Sequence, residues 1–279
     1  MEISGKVALV TGGSSGIGRA TAKALAAEGA SVAVADIDRS GGEETVRVIA
    51  AEGGQACFFH GDVSTPSGIK SLFAAVEAAY GGIDIVHNNA GIMTGDTPGW
   101  PEVGLEKIHL VVSVNAAGVM MGTGAAVRAL RKRGGGAVVN TASVAALGPM
   151  PFDPMYAATK AAVVNFTEAC AMLAESENIR VNAVLPGMVD TPIIGKTGDG
   201  ETPAAWLAPA IAATTMLQPE DISDKVLELI KDDSKAGAAE LVVQPDTPRA
   251  AEMAAAAELL GEEGVAEVVS RIEGQDGGD

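Results

Sequence analysis

A glycine-rich turn between two short apolar runs constrains the fold of this chain more than any other feature of its sequence. Lys6–Thr11 is the first run and Ser31–Asp36 the second, and both have the length and apolar content of buried parallel strands. Gly12, Gly16 and Gly18 follow the first run, and a helix-forming stretch fills the interval before the second. A strand, a glycine turn, a helix and a second strand within about 30 residues form a unit typical of dinucleotide binding.

The three glycines are spaced as G-x-x-x-G-x-G rather than as the commoner G-x-G-x-x-G. The same physical reason applies to both spacings, because a backbone that lacks side chains can approach a pyrophosphate closely. The N-terminus of the following helix adds unpaired N–H groups and partial positive charge. The residues that we predict at this part of the cofactor are Gly12, Ser14, Ser15, Gly16, Ile17 and Gly18.

Asp36 ends the second strand, 20 residues after the middle glycine. A carboxylate at this position can accept hydrogen bonds from both ribose hydroxyls of NAD, and it repels the 2′-phosphate of NADP. Ile37 follows it and Ser15 lies in the turn, so neither position offers a cation to that phosphate. Arg39 is the one nearby cation, and Asp36 and Asp38 flank it. The pattern predicts NAD as the cofactor.

Tyr156 and Lys160 are four residues apart in a stretch of helix formers, so we expect them to share one face of a helix. A free tyrosine has a pKa of about 10, and lowering that pKa by about 2–3 units requires about 3–4 kcal/mol. One cation at about 4 Å supplies on the order of 4 kcal/mol at an effective dielectric constant near 20. Lys160 alone is therefore expected to make Tyr156 a usable proton carrier. The same spacing is common on ordinary helices, so other residues must support the prediction.

Apolar runs and helix-forming stretches alternate along the rest of the chain, and no linker divides them. We predict one α/β domain over residues 1–248, with a doubly wound parallel β-sheet and helices on both faces, which is a Rossmann fold. Further strands are predicted at 56–60, 83–87, 137–143, 180–185 and 240–244, and helices at 19–29, 43–53, 64–80, 101–133, 154–176 and 220–231. Gly118, Gly122 and Gly124 would permit close helix packing. Residues 249–279 are predicted to form an acidic helical extension with a disordered end.

Taken together, these residues resemble the short-chain dehydrogenase/reductase family in its short, NAD-dependent form. The resemblance covers about residues 3–245 and rests on motifs that occur in the family's order. These are Thr11–Gly18, Asp62–Val63, Asn88–Gly91, Asn115, Ser143, Tyr156–Lys160 and Pro186–Thr191. Tyr156 follows Ser143 by 13 residues, which is the family's usual spacing.

The resemblance implies an enzyme that transfers hydride between a secondary alcohol or ketone and a nicotinamide. Tyr156 would act as the acid/base, and Lys160 would lower its pKa and bind the nicotinamide ribose. Ser143 would hold the substrate oxygen, and Asn115 would hold a water that links Lys160 to solvent.

The resemblance also implies further contacts with the cofactor. Asp62 and Val63 would bind the adenine edge, Asn89 the adenosine ribose, and Val189 and Thr191 the carboxamide. The cofactor positions implied beyond the glycine turn and Asp36 are Asp62, Val63, Asn89, Ala90, Gly91, Tyr156, Lys160, Pro186, Gly187, Val189 and Thr191.

The regular pattern is lost between Met188 and Met216, where the family has a segment that covers the substrate and is often mobile. The substrate contacts that we predict are Ser143, Met150, Tyr156, Met188, Ile193 and Trp206. Met93, Phe152 and Met155 would form the opposite wall. This methionine-rich set predicts a bulky hydrophobic alcohol or ketone. Ordinary core packing of these residues remains the alternative.

The net charge is −17 and no basic patch is visible, which argues against a nucleic-acid partner. The densest basic cluster, Arg128 to Arg133, ends a helical run, where cations interact favourably with the helix dipole. No run of 18 uninterrupted apolar residues suggests a membrane span. His60, His87 and His109 are dispersed, so we predict no metal site.

Cys57 and Cys170 lie in apolar surroundings, and we interpret them as buried thiols of a cytoplasmic protein. Met1–Ser4 leads straight into a strand, so we expect no targeting segment. We expect a homodimer or homotetramer that uses the helices around 102–133 and 154–176.

Two alternatives stay open. One is an NADPH-dependent carbonyl reductase, against which Asp36 argues. The other is a noncatalytic NAD-binding regulator of the same fold. Such proteins tend to lose the tyrosine or the lysine, and this chain keeps both Tyr156 and Lys160.

Overall fold

The structure is a computed structural model that describes residues 1–95, 100–198, 200–213 and 215–244. Seven parallel strands form one sheet in the order β3-β2-β1-β4-β5-β6-β7. They are β1 (Val7–Thr11), β2 (Ser31–Asp36), β3 (Gln55–His60), β4 (Ile85–Asn88), β5 (Gly136–Thr141), β6 (Ile179–Pro186) and β7 (Ala239–Val242). The predicted doubly wound parallel sheet is confirmed. The predicted extension over 249–279 lies outside the described residues.

The sheet is flanked by helices of very different length. They are α1 (Gly16–Ala27), α2 (Arg39–Ala51), α3 (Pro66–Tyr80), α4 (Leu105–Val112), α5 (Val119–Arg131), α6 (Pro154–Ala169), α7 (Leu173–Glu177), α8 (Pro192–Gly195), α9 (Ala208–Ala213) and α10 (Pro219–Lys231). A π-helical turn, Ser113–Gly118, joins α4 to α5, and a 3₁₀ helix, Val144–Leu147, precedes α6.

Successive side chains of β1 enter different halves of the core. Ala8 and Val10 pack in a cluster with residues of α1 and α10, whereas Leu9 packs in a cluster with residues of α3 and α5. Because side chains alternate between the two faces of a strand, both faces of the sheet are buried under helices. This explains why the central strands are almost continuously apolar in sequence.

The prediction that Cys57 is buried is wrong, because its side chain is exposed. β3 is an edge strand of the sheet, and in its Gln55–Cys57 portion alternate residues face solvent. Cys170 is half-buried, just after the end of α6. Of the three histidines, His60 and His109 are exposed and His87 is buried.

The stretch predicted as one helix over 101–133 is divided by the π-helical turn. Gly118 and Gly122 in this region permit the close packing that we predicted. A Cβ on Gly122 would lie 2.4 Å from Oδ1 of Asn88, so only a glycine lets α5 approach β4 this closely. A Cβ on Gly118 would lie 3.0 Å from the carbonyl oxygen of Val63.

The segment Leu105–Arg131 has the length and composition of a membrane span, with a mean hydropathy of 1.6 over 18 residues. In the described part of the chain no other helix does. In the fold, 56% of that apolar window is buried. The buried residues of this segment pack inside the fold, whereas Leu105, Leu110 and Val112 are exposed.

Candidate active site

The glycine turn and the loop after β4 meet at the carboxyl ends of the central strands, where the strand order reverses. The chain runs outward from β1 to β3 and then returns to place β4 on the other side of β1. Ligands of doubly wound sheets bind at such a point. Asn89 joins the two segments, because its Nδ2 donates to the carbonyl oxygens of Thr11 at 3.1 Å and Gly12 at 3.3 Å.

Three glycines of the turn have close neighbours that leave no room for a side chain. A Cβ on Gly18 would lie 2.1 Å from the carbonyl oxygen of Gly12, and a Cβ on Gly12 would lie 2.9 Å from Nδ2 of Asn89. Gly16 has φ of +49°, and a Cβ there would lie 3.0 Å from the methyl group of Thr191. The turn therefore presents bare backbone at the start of α1, which fits the phosphates of a dinucleotide.

The carboxylate of Asp36 is fixed by two backbone amides. Its Oδ2 accepts from the N–H of Ser14 at 3.0 Å, and its Oδ1 accepts from the N–H of Asp38 at 2.9 Å. Each carboxylate oxygen can accept a further hydrogen bond, so Asp36 retains the capacity to bind a ribose diol.

Two arginines lie near the turn, and sequence reasoning considered only one of them. Arg39 pairs with Glu43 at 3.4 Å on its own helix, and its guanidinium lies 5.6 Å from the centre of the Phe58 ring. Arg19, which sequence reasoning missed, donates to the carbonyl oxygens of Ser14 and Gly41. Both guanidinium groups therefore already have partners within the chain.

The turn after β3 is ordered by Asp62. Its Oδ1 accepts from the N–H of Ser64 at 2.9 Å and from the hydroxyl of Ser64 at 2.7 Å. Three further predicted cofactor positions, Gly187, Val189 and Thr191, follow β6. Gly187 donates to the carbonyl oxygen of Val242 at 2.8 Å, and Val189 pairs with Leu217 in an isolated parallel bridge.

Ser143, Tyr156 and Lys160 come together at the end of β5. The hydroxyl of Ser143 donates to the carbonyl oxygen of Pro186 at 3.5 Å, and it is close enough to the phenol of Tyr156 to lower the pKa of that group. Lys160 is only 2% exposed, and its Nζ donates to the carbonyl oxygen of Thr141 at 2.7 Å. The same ammonium group lies 5.6 Å from the centre of the Tyr156 ring. The helical spacing thus places the lysine beside the tyrosine.

The expectation that Lys160 alone lowers the pKa of Tyr156 is wrong for the chain without a ligand. Burial raises the pKa of Tyr156, the hydrogen bond from Ser143 lowers it, and the negative charge of Asp153 raises it further. Desolvation of the buried side chain favours the neutral phenol, and it opposes the attraction between Lys160 and the phenolate that the sequence predicts. Burial also lowers the pKa of Lys160 to about 8, so its ammonium form still predominates at pH 7.

Asn115 lies inside the π-helical turn, with its amide held by the loop after β4. Its Oδ1 accepts from the N–H of Ile92 at 2.8 Å, and its Nδ2 donates to the carbonyl oxygen of Ile92 at 2.8 Å. A Cβ on Gly91 would lie 3.5 Å both from Oδ1 of Asn115 and from Nζ of Lys160. Asn115 is therefore close to Lys160, and the bound water implied by the family resemblance stays a prediction.

A buried histidine supports the same region and was missed as a site residue. Nε2 of His87 lies 2.9 Å from the hydroxyl of Thr141, and that hydroxyl donates to Oδ1 of Asn89 at 3.3 Å. Because a hydroxyl has one proton, His87 must donate from Nε2. Nδ1 then carries no proton, and this atom is buried without a hydrogen-bond partner. Burial lowers the pKa of His87 to about 3, so the ring is neutral.

The residues predicted to contact substrate divide into separate groups. Trp206 stacks on Phe152, with ring centres 5.6 Å apart and planes 10° apart. Met188 and Ile193 are half-buried in the segment after β6. Met155 belongs to a buried apolar cluster with Val103 and Val111, which favours the alternative of core packing for this residue. Its place on the inner side of the first turn of α6 explains this burial.

Met150 lines a shallow groove of about 300 Å³ beside the 3₁₀ helix and the first half of α6. Among the described residues, the lining of this groove consists of alanines, prolines, one glycine and Met150 itself, and it does not include Ser143 or Tyr156.

Three members of the basic cluster at the end of α5 are paired with acidic side chains. Arg131 pairs with Glu177, Lys132 with Glu77 at 2.7 Å, and Arg133 with Asp84 at 2.9 Å. These contacts agree with the prediction that the cluster is a feature of the helix end. Within residues that the structure describes, no group of three or more His, Cys, Asp or Glu side chains is arranged to bind a metal ion.

Most of the chain matches proteins of one known family. Residues 6–202 match the family described as short chain dehydrogenase. A 2,5-dichloro-2,5-cyclohexadiene-1,4-diol dehydrogenase of Sphingobium indicum is 41% identical over 201 residues, which are 72% of this chain and 79% of that protein. A cyclohexanol dehydrogenase of an Acinetobacter species is 34% identical over 233 residues, which are 84% of this chain and 90% of that protein.

Solved structures resemble the whole described fold. A short-chain type dehydrogenase/reductase from Mycobacterium marinum has a TM-score of 0.79 at 31% identity, covering 87% of this chain and 95% of that one. A 3-ketoacyl-(acyl-carrier-protein) reductase from Brucella melitensis, solved in complex with NADH, has a TM-score of 0.77 at 29% identity. That match covers 88% of this chain and 99% of the reductase.

Proposed function

This chain belongs to the short-chain dehydrogenase family, and we propose that it is an NAD-dependent oxidoreductase that interconverts a secondary alcohol and a ketone. The proposal rests on one observation: a chain of hydrogen bonds connects Lys160 to the glycine turn. Lys160 bonds the carbonyl oxygen of Thr141, the hydroxyl of Thr141 bonds Asn89, and Asn89 bonds Gly12. The side chains that can transfer a proton thus lie next to the backbone that can hold a dinucleotide, at the carboxyl ends of the same strands.

The chemistry that a bound nicotinamide supplies is the acceptance or donation of a hydride at the carbinol carbon. In our proposal the residues of this chain handle the accompanying proton. In ketone reduction the phenol of Tyr156 donates its proton to the substrate oxygen, and Ser143 holds that oxygen by a hydrogen bond. Burial raises the pKa of Tyr156, so the phenol is protonated and ready for this direction at neutral pH.

Alcohol oxidation requires the opposite step, in which the phenolate oxygen of Tyr156 takes the hydroxyl proton. The ammonium group of Lys160, 5.6 Å from the ring centre, stabilises the phenolate that must form. The hydrogen bond from Ser143 acts in the same sense by lowering the pKa of Tyr156. We propose that Asn115, which lies close to Lys160, holds a water that links Lys160 to solvent.

The preference for NAD rests on Asp36. Its carboxylate is held by the amides of Ser14 and Asp38, which supports its use as a ribose ligand. A 2′-phosphate would meet this negative charge, and the guanidinium groups of Arg19 and Arg39 already bond the carbonyl oxygen of Ser14 and the carboxylate of Glu43. We therefore favour NAD over NADP.

For the substrate we propose a secondary alcohol on a carbon ring. The two relatives described above are named for ring alcohols, a chlorinated cyclohexadiene diol and cyclohexanol. The stacked pair of Phe152 and Trp206 supports an apolar substrate, because it places a flat aromatic surface between α6 and the segment after β6. We propose Met188 and Ile193 as further apolar contacts.

The test is a panel of alcohols with the purified protein and NAD, followed by the absorbance of NADH. Cyclohexanol, cyclopentanol and cyclohexanediols should react faster than open-chain alcohols of the same carbon number. Glucose and glycerol serve as polar controls. Activity confined to the polar alcohols would contradict the proposed substrate class, and binding of NADH without turnover of any alcohol would favour a noncatalytic regulator.

The NADPH-dependent reductase remains the second candidate, because Arg19 lies at the glycine turn. Steady-state kinetics of reduction with NADH and NADPH, using cyclohexanone, decide between the two. A higher kcat/KM with NADPH would overturn the choice of NAD.

A homodimer or homotetramer in the cytoplasm is also part of the proposal. Leu105, Leu110 and Val112 on α4 are 79%, 43% and 43% exposed, which supports a second copy packing on this helix. Light scattering should give a mass above that of the single chain, and Leu105→Glu should lower it. A monomer in the unmodified protein would contradict this part of the proposal.

A further inference from the structure

Asp153 is a buried carboxylate at the start of α6 that the proposed mechanism does not use. It is 1% exposed and lies three residues before Tyr156. Its Oδ1 accepts from the N–H of Tyr156 at 3.1 Å, so it caps the helix that carries the phenol and the lysine.

The same carboxylate binds a second segment, the loop after β4. Its Oδ2 accepts from the N–H of Thr94 at 2.9 Å, and its Oδ1 accepts from the hydroxyl of Thr94 at 2.5 Å. We call these three hydrogen bonds from Thr94 and Tyr156 the Asp153 clamp. They join residues that are 59 positions apart in the chain.

The loop that the clamp holds passes the centre of the site. Gly91 faces Lys160 and Asn115, and Ile92 is bonded to the amide of Asn115. Asn115 therefore holds this loop at Ile92, and Asp153 holds it at Thr94. The segment between them cannot shift without breaking a charge-assisted hydrogen bond.

A helix cap does not by itself need this arrangement. Asp38 caps α2 with one bond to the N–H of Gly41 at 3.1 Å, and Thr65 caps α3 with one bond to the N–H of Gly68 at 3.0 Å. Neither residue is buried, and their capping bonds lie within their own helix ends. Burying a carboxylate is costly unless its oxygens are satisfied, so the position of Asp153 requires an explanation beyond capping.

We propose that Asp153 is a positioning residue, which holds the loop Gly91–Thr94 and the first turn of α6 in one arrangement so that the phenol of Tyr156 meets the substrate oxygen beside the nicotinamide end of the site. The proposal rests on the proposed oxidoreductase function. It assigns to Asp153 no contact with substrate or cofactor. Misplacement of reacting groups by about 1 Å can cost about 100-fold in rate, which sets the scale of the effect.

Three substitutions separate the bonds of the clamp. Asp153→Ala removes all three. Asp153→Asn can keep the cap of Tyr156 and the bond from the Thr94 hydroxyl, but it turns an NH₂ group toward the N–H of Thr94. Thr94→Val removes only the hydroxyl donor, and Thr94→Ser restores it. Thr65→Ala is the matched control, because it removes a cap from a helix outside the site.

Two measurements are made on each full-length variant. The first is kcat and KM for the best alcohol of the panel, with the dissociation constant of NADH. The second is amide hydrogen exchange, followed by mass spectrometry in peptides that contain Thr94 or Tyr156. Exchange does not depend on turnover, so it reports on the clamp even if no alcohol of the panel reacts.

We expect Asp153→Ala to lower kcat by about 10- to 100-fold and Thr94→Val by a few-fold, with NADH affinity unchanged within about twofold. Asp153→Asn should lie between them and accelerate exchange at Thr94 but not at Tyr156. Thr94→Ser should behave as the unmodified protein, and Thr65→Ala should lose thermal stability but keep kcat.

Unchanged kcat in Asp153→Ala, or an equal loss of kcat in Thr65→Ala, would overturn the positioning role. Unchanged exchange at Thr94 in both Asp153 variants would show that the clamp does not hold the loop. If the unmodified protein oxidises no alcohol in the panel, the proposed function fails separately, and exchange alone decides whether the clamp holds the loop.

Discussion

The two sides of the site are built in different ways. On the nucleotide side, the turn after β1 is built on glycines that admit no side chain, as Gly12 and Gly18 show, and several side chains bond it at once, namely those of Asn89, Asp36 and Arg19. On the substrate side, segments far apart in sequence are joined by single side-chain contacts, such as the stack of Phe152 on Trp206 and the clamp on Asp153. We infer that cofactor binding resists most single substitutions of side chains, whereas the rate of the reaction depends on a few of them.

The largest expected effect is a loss of kcat with no change in cofactor affinity, so it concerns the substrate side alone. Tyr156→Phe keeps the ring and removes the hydroxyl, so the proton can be neither donated nor taken up. Loss of a general acid/base typically costs about 10²- to 10⁴-fold in kcat. Stopped-flow turnover should show that loss, while NADH fluorescence titration should give an affinity within about twofold of the unmodified value. Turnover comparable to the unmodified protein would remove Tyr156 from its assigned role.

A smaller effect is expected from substitution of Asp36, the side chain that we propose to select NAD over NADP. Asp36→Ala removes the charge that repels a 2′-phosphate and the acceptor for the ribose diol. We expect the ratio of kcat/KM for NAD over NADP to fall by about 10- to 100-fold, equivalent to about 1.4–2.8 kcal/mol. Glu44→Ala is the control, since it removes a carboxylate of α2 that bonds Arg47 instead. The same ratio in Asp36→Ala and the unmodified protein would mean that Asp36 does not contact the ribose.

The pH dependence tests the protonation state on the substrate side. Because burial raises the pKa of Tyr156, the phenol is protonated at neutral pH. Oxidation needs the phenolate, so its kcat/KM should rise with pH, by up to tenfold per pH unit below the kinetic pKa. Reduction needs the phenol, so its kcat/KM should be flat over the same range and fall only above that pKa. Profiles measured from pH 6 to 10 in both directions check this, and a pH-independent oxidation would argue against proton transfer to Tyr156.

The smallest expected effect concerns the aromatic stack. Trp206→Ala removes one partner of the pair and leaves Ser143 and Tyr156 untouched. We expect KM for a ring alcohol to rise about 3- to 10-fold, with kcat changed by less than about twofold. Trp206→Phe should restore most of the affinity because it keeps an aromatic face. Equal KM values in all three proteins would place the stack outside the substrate site.

The same difference between the two sides decides how much could be predicted from the sequence. β2 was predicted at its observed bounds, Ser31–Asp36, because strand length, apolar content and the glycine turn are local signals. The pairing of Tyr156 with Lys160 was predictable for the same reason, since helical spacing fixes it. Ser143 was found only because its distance to Tyr156 matched a family pattern.

Contacts that depend on the neighbourhood of strands were not predictable. His87 meets Thr141 because β4 lies beside β5 with His87 opposite Val139, and no local pattern states that register. Asp153 meets Thr94 for a similar reason. The exposure of Cys57 and the placement of Met155 in the core depended on which strand is at the edge and which side of α6 faces inward. Desolvation of Tyr156 likewise required knowledge of its surroundings.

The buried imidazole of His87 has a consequence for acid unfolding. In the unfolded chain a histidine takes up a proton near pH 6.5, whereas the folded chain binds that proton only near pH 3. Between these values unfolding takes up a proton. The contribution of His87 to the free energy of unfolding is therefore complete above pH 6.5, and it is lost as the pH is lowered toward 3. For this one residue the loss between pH 7 and pH 5 is about 2 kcal/mol. Urea unfolding at the two pH values, compared with His87→Gln, would measure it, so a residue that never touches the substrate sets part of the acidity at which the enzyme survives.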